Sequence, residues 1–252
     1  MSEFFLLPVS GFIAIASSLL SAFTGGGMSL VMFPLFLMTL PVGYVVGLAI
    51  TKVAVTMMTM TSAWVHFKKG NVKWNLFFVM TIFGILGTAV GTYLIQYQLN
   101  EVLYERILAM ALFTTATYLL LTKDLGIVSR GHVHIGWKLQ IQTGFYALLV
   151  NILNGLFGGT GIFLTVYLIF MLRLSFLEAT AYTMSSYMVI NIVQTSYLLA
   201  TTPVDFGIAL VVTIGALIGG WLGTHLQYLK GNVWVKRASI IMMVVVGIII
   251  LL

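Results

Sequence analysis

Two apolar segments of the chain are each broken by a cluster of glycines, and this feature restricts the fold more than any other. In the first segment, AFTGGGMSLVMFPLF, the glycines Gly25, Gly26 and Gly27 are adjacent. The second segment reads GLFGGTGIFLTVYLIF. Glycine costs about 1 kcal/mol relative to alanine inside a helix. Each cluster is therefore predicted to end one helix, and the shorter apolar stretch that follows is predicted to form another.

The composition places these helices in a membrane. Apolar residues make up 60% of the 252 residues and charged residues only 7%, whereas a soluble domain carries about 25% charged residues. The formal charge of +6 forms no basic patch on a soluble face, which argues against nucleic acid as a partner. The N-terminus carries only Glu3 and no basic residues, so its first apolar run is predicted to be a retained membrane segment rather than a cleaved signal peptide.

Apolar runs divided at glycines and charged turns predict the individual segments. They fall near 4–23, 28–40, 43–67, 74–98, 101–121, 137–157, 161–172, 176–200, 205–229 and 233–252. A spanning helix needs about 20 apolar residues. The runs 28–40 and 161–172 are too short to cross upright, so each is expected either to cross with a tilt or to re-enter.

The same pattern occurs twice along the chain. The glycine segments align at an offset of 134 residues, and GILGTAVGTYL (84–94) aligns with ALIGGWLGTHL (216–226) at an offset of 132. Such self-similarity indicates an internal repeat. It predicts a first repeat at 1–121, a cytoplasmic linker at 122–136 and a second repeat at 137–252.

Loop charges predict that the two repeats are inverted. The loop HFKKGNVKW carries three lysines, whereas its counterpart ATTPVDF carries only Asp205. The loop NEVLYER is mainly acidic, whereas its counterpart KGNVWVKR carries three basic residues. By the positive-inside rule these counterparts lie on opposite sides of the membrane. This topology puts ten basic residues inside and Arg106 outside, with both termini outside an inner (plasma) membrane.

These observations predict an all-α polytopic membrane protein with two inverted repeats. Each repeat has a glycine-broken helical hairpin followed by three long transmembrane helices, for about eight to ten membrane segments in total. Inverted repeats with broken helices are the architecture of secondary transporters. Where the breaks meet, two helix N-termini with unpaired N–H groups and partial positive charge would form an anion site. The predicted glycines of this site are Gly25, Gly26, Gly27, Gly158, Gly159 and Gly161.

Lys52, in LAITKVAVT, is the second candidate feature of the site. It lies nine residues past Gly43, about 13 Å along a helix. An intramembrane lysine is costly and indicates function, although a long side chain can also snorkel to the interface. The repeat equivalents of Thr51 and Lys52 are Ser185 and Ser186, which predicts one cationic wall and one hydroxyl wall around a small oxyanion.

Buried amides complete the predicted site. Asn154 and Asn191 are candidates for lining it, although amides also bond neighbouring helices together in membranes. His66 lies near a loop and is expected to be solvated. The chain has no cysteine, and the pair of histidines in HVH has no further ligands nearby, so neither a metal site nor a cofactor is expected.

The chain resembles the TauE/SafE family of sulfite and organosulfonate exporters. FTGGGMSLVMFPLF, GLAITKVAV and NGLFGGTGIFL carry the resemblance, which covers both halves. The second half reads GGTG instead of three adjacent glycines, and Leu168 stands where the family pattern has a proline. The resemblance implies export of sulfite, a sulfonate or a related sulfur anion, while the residues alone indicate only a small anion.

Three other functions are alternatives to a secondary transporter: an anion channel, an intramembrane enzyme and a purely structural role. An anion channel could use the same pore. An intramembrane enzyme would need a nucleophile–base pair or a ligated metal in the membrane, and a purely structural role leaves the paired breaks unexplained. No GxxxxGK[ST] loop is present, so ATP-driven transport is not expected within this chain. The predicted partners are a small anion and the lipid bilayer, with a homodimer left open.

Overall fold

The computed structural model describes residues 3–94, 101–129 and 136–251, and these residues form nine α-helices and no strand. The helices are α1 (Glu3–Thr24), α2 (Met28–Thr39), α3 (Tyr44–Lys68), α4 (Trp74–Leu94), α5 (Glu101–Leu121), α6 (Trp137–Phe157), α7 (Gly161–Leu172), α8 (Phe176–Thr201) and α9 (Phe206–Leu251).

The helix ends follow the local chemistry of the sequence. α2 begins after Gly27, which adopts φ 95°. α8 begins with a capping box, in which the Ser175 hydroxyl accepts from the Glu178 N–H and the Glu178 carboxylate accepts from the Ser175 N–H. Gly231 interrupts α9 with φ 76° and ψ 177°, which divides it into parts at 206–230 and 232–251. The predicted segments are confirmed within a few residues, and the end of the predicted 74–98 run lies outside the described residues.

The surface and the interior are those of a membrane protein. Large apolar side chains such as Phe12, Leu121 and Leu229 are more than 70% exposed, while serine, threonine, asparagine and glutamine side chains are buried between the helices. Among the described residues, four helices are long and apolar enough to cross a membrane: α1, α3, α4 and α9. The chain is therefore an all-α polytopic membrane protein.

Small residues join the two halves of the chain. α1 packs against α9, and α4 packs against α6. A Cβ added to Gly91 would lie 2.1 Å from the Ile152 carbonyl oxygen, and one added to Gly223 would lie 2.3 Å from the Leu19 carbonyl oxygen. Neither distance leaves room for a side chain. These glycines therefore allow close helix packing, as expected of small residues spaced four apart in membrane helices.

Candidate functional site

The two glycine breaks meet inside the protein. A Cβ added to Gly26 would lie 2.8 Å from the backbone nitrogen of Ile162, at the start of α7. In return, a Cβ added to Gly159 would lie 2.8 Å from the backbone nitrogen of Leu30, at the start of α2. Each break therefore packs against the first turn of the other short helix, so the breaks meet as the sequence predicts.

Both short helices begin in this contact without a side-chain cap. α2 follows Gly27 and α7 follows Thr160, and neither of these residues makes a side-chain hydrogen bond to cap its helix. The first N–H groups of a helix have no partner within it, and the helix dipole adds partial positive charge there. Two uncapped N-termini in one buried region favour an anion.

Lys52 lies beside the second break and is fully buried, at 0% exposure. Its Nζ donates to the main-chain oxygen of Asn154 at 3.3 Å and to the Asn154 Oδ1 at 3.4 Å. A Cβ added to Gly158 would lie 3.5 Å from the Lys52 Cε and 2.8 Å from the Ser29 Cβ. Both hydrogen bonds are long, and no carboxylate of the described residues pairs with Lys52. The end of α6 therefore supplies the hydrogen-bond partners of this lysine of α3.

A small cavity of about 20 Å³ lies between the breaks. Its polar lining includes Ser21, Ser29 and Asn154, each of which has a buried side-chain atom without a hydrogen-bond partner in the described part of the chain: the two hydroxyl oxygens and the Asn154 Nδ2. A cavity of this size holds about one water molecule. The cavity is therefore narrow in this conformation, and it must widen to hold an oxyanion.

Some predicted site residues line this cavity and others lie next to it. Gly26, Gly27, Asn154, Gly159 and Gly161 line it directly. Lys52 and Gly158 are adjacent to the lining, through the contacts with Asn154 and Ser29 given above. Gly25 lies on another side of the break, where its carbonyl oxygen accepts a hydrogen bond from the Thr165 hydroxyl at 2.8 Å.

The predicted hydroxyl wall is not brought to the cavity. Ser185, Ser186 and Asn191 are fully buried on α8 and do not line it, and their side-chain polar atoms have no partner among the described residues. Thr51 donates to the Gly47 carbonyl oxygen in its own helix at 2.8 Å. The participation of these four residues in a site therefore remains a prediction.

Several cavity residues were missed by the sequence reasoning. Ser29 is the second residue of α2, and Ser21 lies one turn before the first break, where its carbonyl oxygen accepts from the Gly25 N–H at 2.9 Å. Both positions follow from their distance to the glycines and could have been found that way. Thr183, Met184 and Tyr187 of α8 also line the cavity, and no local sequence signal marks them.

The expectation for His66 is wrong. The side chain is fully buried, and its Nδ1 lies 2.8 Å from the Tyr228 hydroxyl. The Asn71 amide donates to the same hydroxyl at 2.8 Å. Proximity to a loop in sequence did not predict exposure, because Tyr228, near the end of the first part of α9, packs against this end of α3.

The architecture defines a polytopic membrane protein with a buried polar region between two broken helices. The family model described as sulfite exporter TauE/SafE matches residues 10–250, and the chain belongs to this family of membrane transporters. A "Probable membrane transporter protein" of Haemophilus influenzae is 25% identical over 244 residues, which cover 94% of this chain and 91% of that protein. No solved structure matches the chain.

Proposed function

We propose that the chain exports a small anion by alternating access, with sulfite, an organosulfonate or a related sulfur oxyanion as substrate. The observation that carries the proposal is Lys52, a fully buried lysine with no carboxylate partner in the described chain. A buried cation is stable only when it is paired and hydrogen-bonded. An anion held beside Asn154 and the two helix N-termini would supply the missing partner.

The narrow cavity fits a transporter and shows no open anion pore between the breaks in this conformation. An open anion channel needs a continuous pore, whereas the space between the breaks is only about 20 Å³. A transporter passes through a closed state and then exposes the site to one side at a time. The inside-negative potential would drive an anion outward by about 2.3 kcal/mol per charge per 100 mV. The sulfur chemistry of the substrate is supported by family membership alone.

Solid-supported-membrane currents from purified protein in liposomes test this proposal. The anions are sulfite, thiosulfate, sulfate, a sulfonate, an organic carboxylate and chloride. We expect a saturable current for one sulfur oxyanion in the wild type and none in Lys52→Gln. Lys230→Gln is the matched control, because this lysine is exposed on α9, and it should keep the current. A current that is unchanged in Lys52→Gln removes the lysine from the site.

A second assay detects binding when transport is electroneutral and carries no current. The thermal stability of the detergent-solubilised protein is measured with each anion at matched ionic strength, since a ligand that binds the folded state raises the melting temperature. A non-saturating flux with single-channel currents would favour the channel instead. Absence of both current and thermal stabilisation for every anion would contradict an anion site at the breaks.

The proposed topology, with both termini outside an inner membrane, has its own test. The chain has no cysteine, so a single introduced cysteine reports its own location. Lys68→Cys should be labelled by an impermeant maleimide only from the cytoplasmic side, and Asp205→Cys only from outside. The opposite labelling pattern would reverse the topology.

A further inference from the structure

Three carbonyl groups in the turn after α5 point at one buried lysine. The Nζ of Lys236, on the second part of α9, donates to the carbonyl oxygen of Thr122, to that of Lys123 at 3.0 Å and to that of Leu125 at 3.1 Å. Lys236 is only 6% exposed. The turn is therefore fixed in an orientation that its own sequence does not impose.

This orientation determines where the N–H groups of the turn point. A trans peptide is planar, with its N–H opposite its C=O. Because the three carbonyls face Lys236, the N–H groups of Lys123, Asp124 and Gly126 face away from it. None of these three N–H groups bonds to another backbone group within the described residues. The N–H groups of Lys123 and Asp124 are consecutive, and unpaired backbone N–H groups in a turn attract anions.

A cavity of about 230 Å³ is built on this turn. The residues of the turn from Thr122 to Gly126 line it, and Lys236 does not, so the cavity lies on another side of the turn. Its charged side chains are Lys123, Asp124 and Arg173, which leave a net charge of +1. The Arg173 guanidinium also lies 5.9 Å from the centre of the Phe170 ring.

Arg173 occupies a backbone position that normally belongs to glycine. It ends α7 in the left-handed conformation with φ 55° and ψ 30°, and it is the only non-glycine residue with positive φ in the described chain. Helices commonly end in this conformation with glycine, because other residues are strained there. Arg173 thus lines the cavity from a backbone position that is strained for an arginine.

The surroundings of the cavity indicate which anion it accepts. Leu120, Leu121 and Val128 are each more than 65% exposed near its rim, as side chains facing acyl chains are. The ends of α5 and α7 and the start of α8 meet here, so the cavity lies at the membrane surface. We propose that it binds the phosphate group of an anionic phospholipid. Lys123, Arg173 and the unpaired N–H groups of the turn would contact the phosphate, and the acyl chains would lie along the exposed leucines.

The bound lipid would be connected to the transport site. Lys236 lies on the part of α9 whose Ser239 donates to the Thr24 carbonyl oxygen at 2.9 Å and whose Met242 accepts from the Thr24 hydroxyl at 3.2 Å. Thr24 immediately precedes the first glycine break. A lipid that holds the turn in place also holds Lys236, and through this helix the residues in contact with the break.

Lipid retention on the full-length protein tests the proposal. Native mass spectrometry measures the phosphatidylglycerol bound to the wild type, to Arg173→Gly and to Lys123→Gln, and melting temperatures are recorded in phosphatidylcholine with and without phosphatidylglycerol. We expect phosphatidylglycerol to be retained by the wild type and to raise its melting temperature. One surface cation is worth roughly fivefold in affinity for an anionic surface, and each site variant should lose more than this.

Arg173→Gly also distinguishes a loss of lipid binding from a misfolded variant. Glycine suits φ 55°, so this variant should melt at or above the wild type in phosphatidylcholine while losing the response to phosphatidylglycerol. Lys138→Gln and Lys230→Gln, at exposed lysines elsewhere, should keep the response. Equal retention in site and control variants would overturn the proposal. Equal stabilisation by inorganic phosphate in phosphatidylcholine would overturn the lipid as the source of the phosphate.

Discussion

Lys52→Met separates a functional lysine from a structural one. Methionine is similar in length and carries no charge. It removes two hydrogen bonds to Asn154, at 3.3 and 3.4 Å, both longer than the usual 2.7–3.2 Å, and their loss costs about 1–3 kcal/mol. It also removes the burial of an unpaired cation, which costs several kcal/mol. We therefore expect the variant to be more stable by about 2 kcal/mol, which is a melting temperature about 4–8 °C higher for a chain of this size.

The assay is thermal melting in detergent, with and without the anion that the transport screen identifies. The variant should melt higher than the wild type without the anion and should show no further rise with it. Lys230→Met, at an exposed lysine, should change neither value. The reasoning is refuted if Lys52→Met melts several degrees lower and still responds to the anion, since the lysine would then stabilise the fold rather than bind substrate.

Three further substitutions test the breaks, the packing and the counterion. Gly26→Ala combines φ 139° with a Cβ 2.8 Å from the backbone of α7, so it should lower the free energy of unfolding by about 2–5 kcal/mol and abolish transport. A variant with the melting temperature and flux of the wild type would contradict the contact between the breaks. Gly91→Ala places a Cβ 2.1 Å from the Ile152 oxygen and should lower the melting temperature by separating α4 from α6. The KM of the folded fraction for the anion should stay constant, and a changed KM would contradict a pure packing role. Asn154→Asp supplies a carboxylate beside Lys52, so anion-dependent stabilisation should disappear, and its persistence in a melting assay would place the anion elsewhere.

The helices could be predicted from the sequence because their ends depend on local chemistry. The glycine clusters, the Ser175–Glu178 capping box and Gly231 each act within one turn of the chain. The apolar runs could be assigned to helices because a membrane-spanning helix needs about 20 apolar residues. The pairing of α1 with α9 and of α4 with α6 was not predicted, because periodic glycines indicate that a helix has a close neighbour without identifying it.

The site was only partly predictable for a related reason. The glycines and Lys52 stand out because glycine clusters and charge are rare in apolar segments. Ser21, Ser29 and Tyr187 are ordinary residues in such segments, and they become cavity residues only when the two breaks pack together. The alignment of Lys52 with Ser186 led to the prediction that the two side chains line the same site. The lysine instead reaches across to Asn154 of the other half, while the serine stays buried on α8.

The two breaks are alike in their backbone and differ in the charge beside them. Both halves contribute a broken helix with an uncapped short helix after it. Within the described residues, only the first half places a buried lysine beside the breaks, at Lys52. A second buried lysine at position 186 would add another unpaired charge to an interior where each one costs several kcal/mol. Backbone N–H groups supply positive potential without that cost, because they are fixed by the helices that carry them. One lysine and two helix N-termini therefore give the breaks a positive centre at less expense to the stability of the fold than two lysines would.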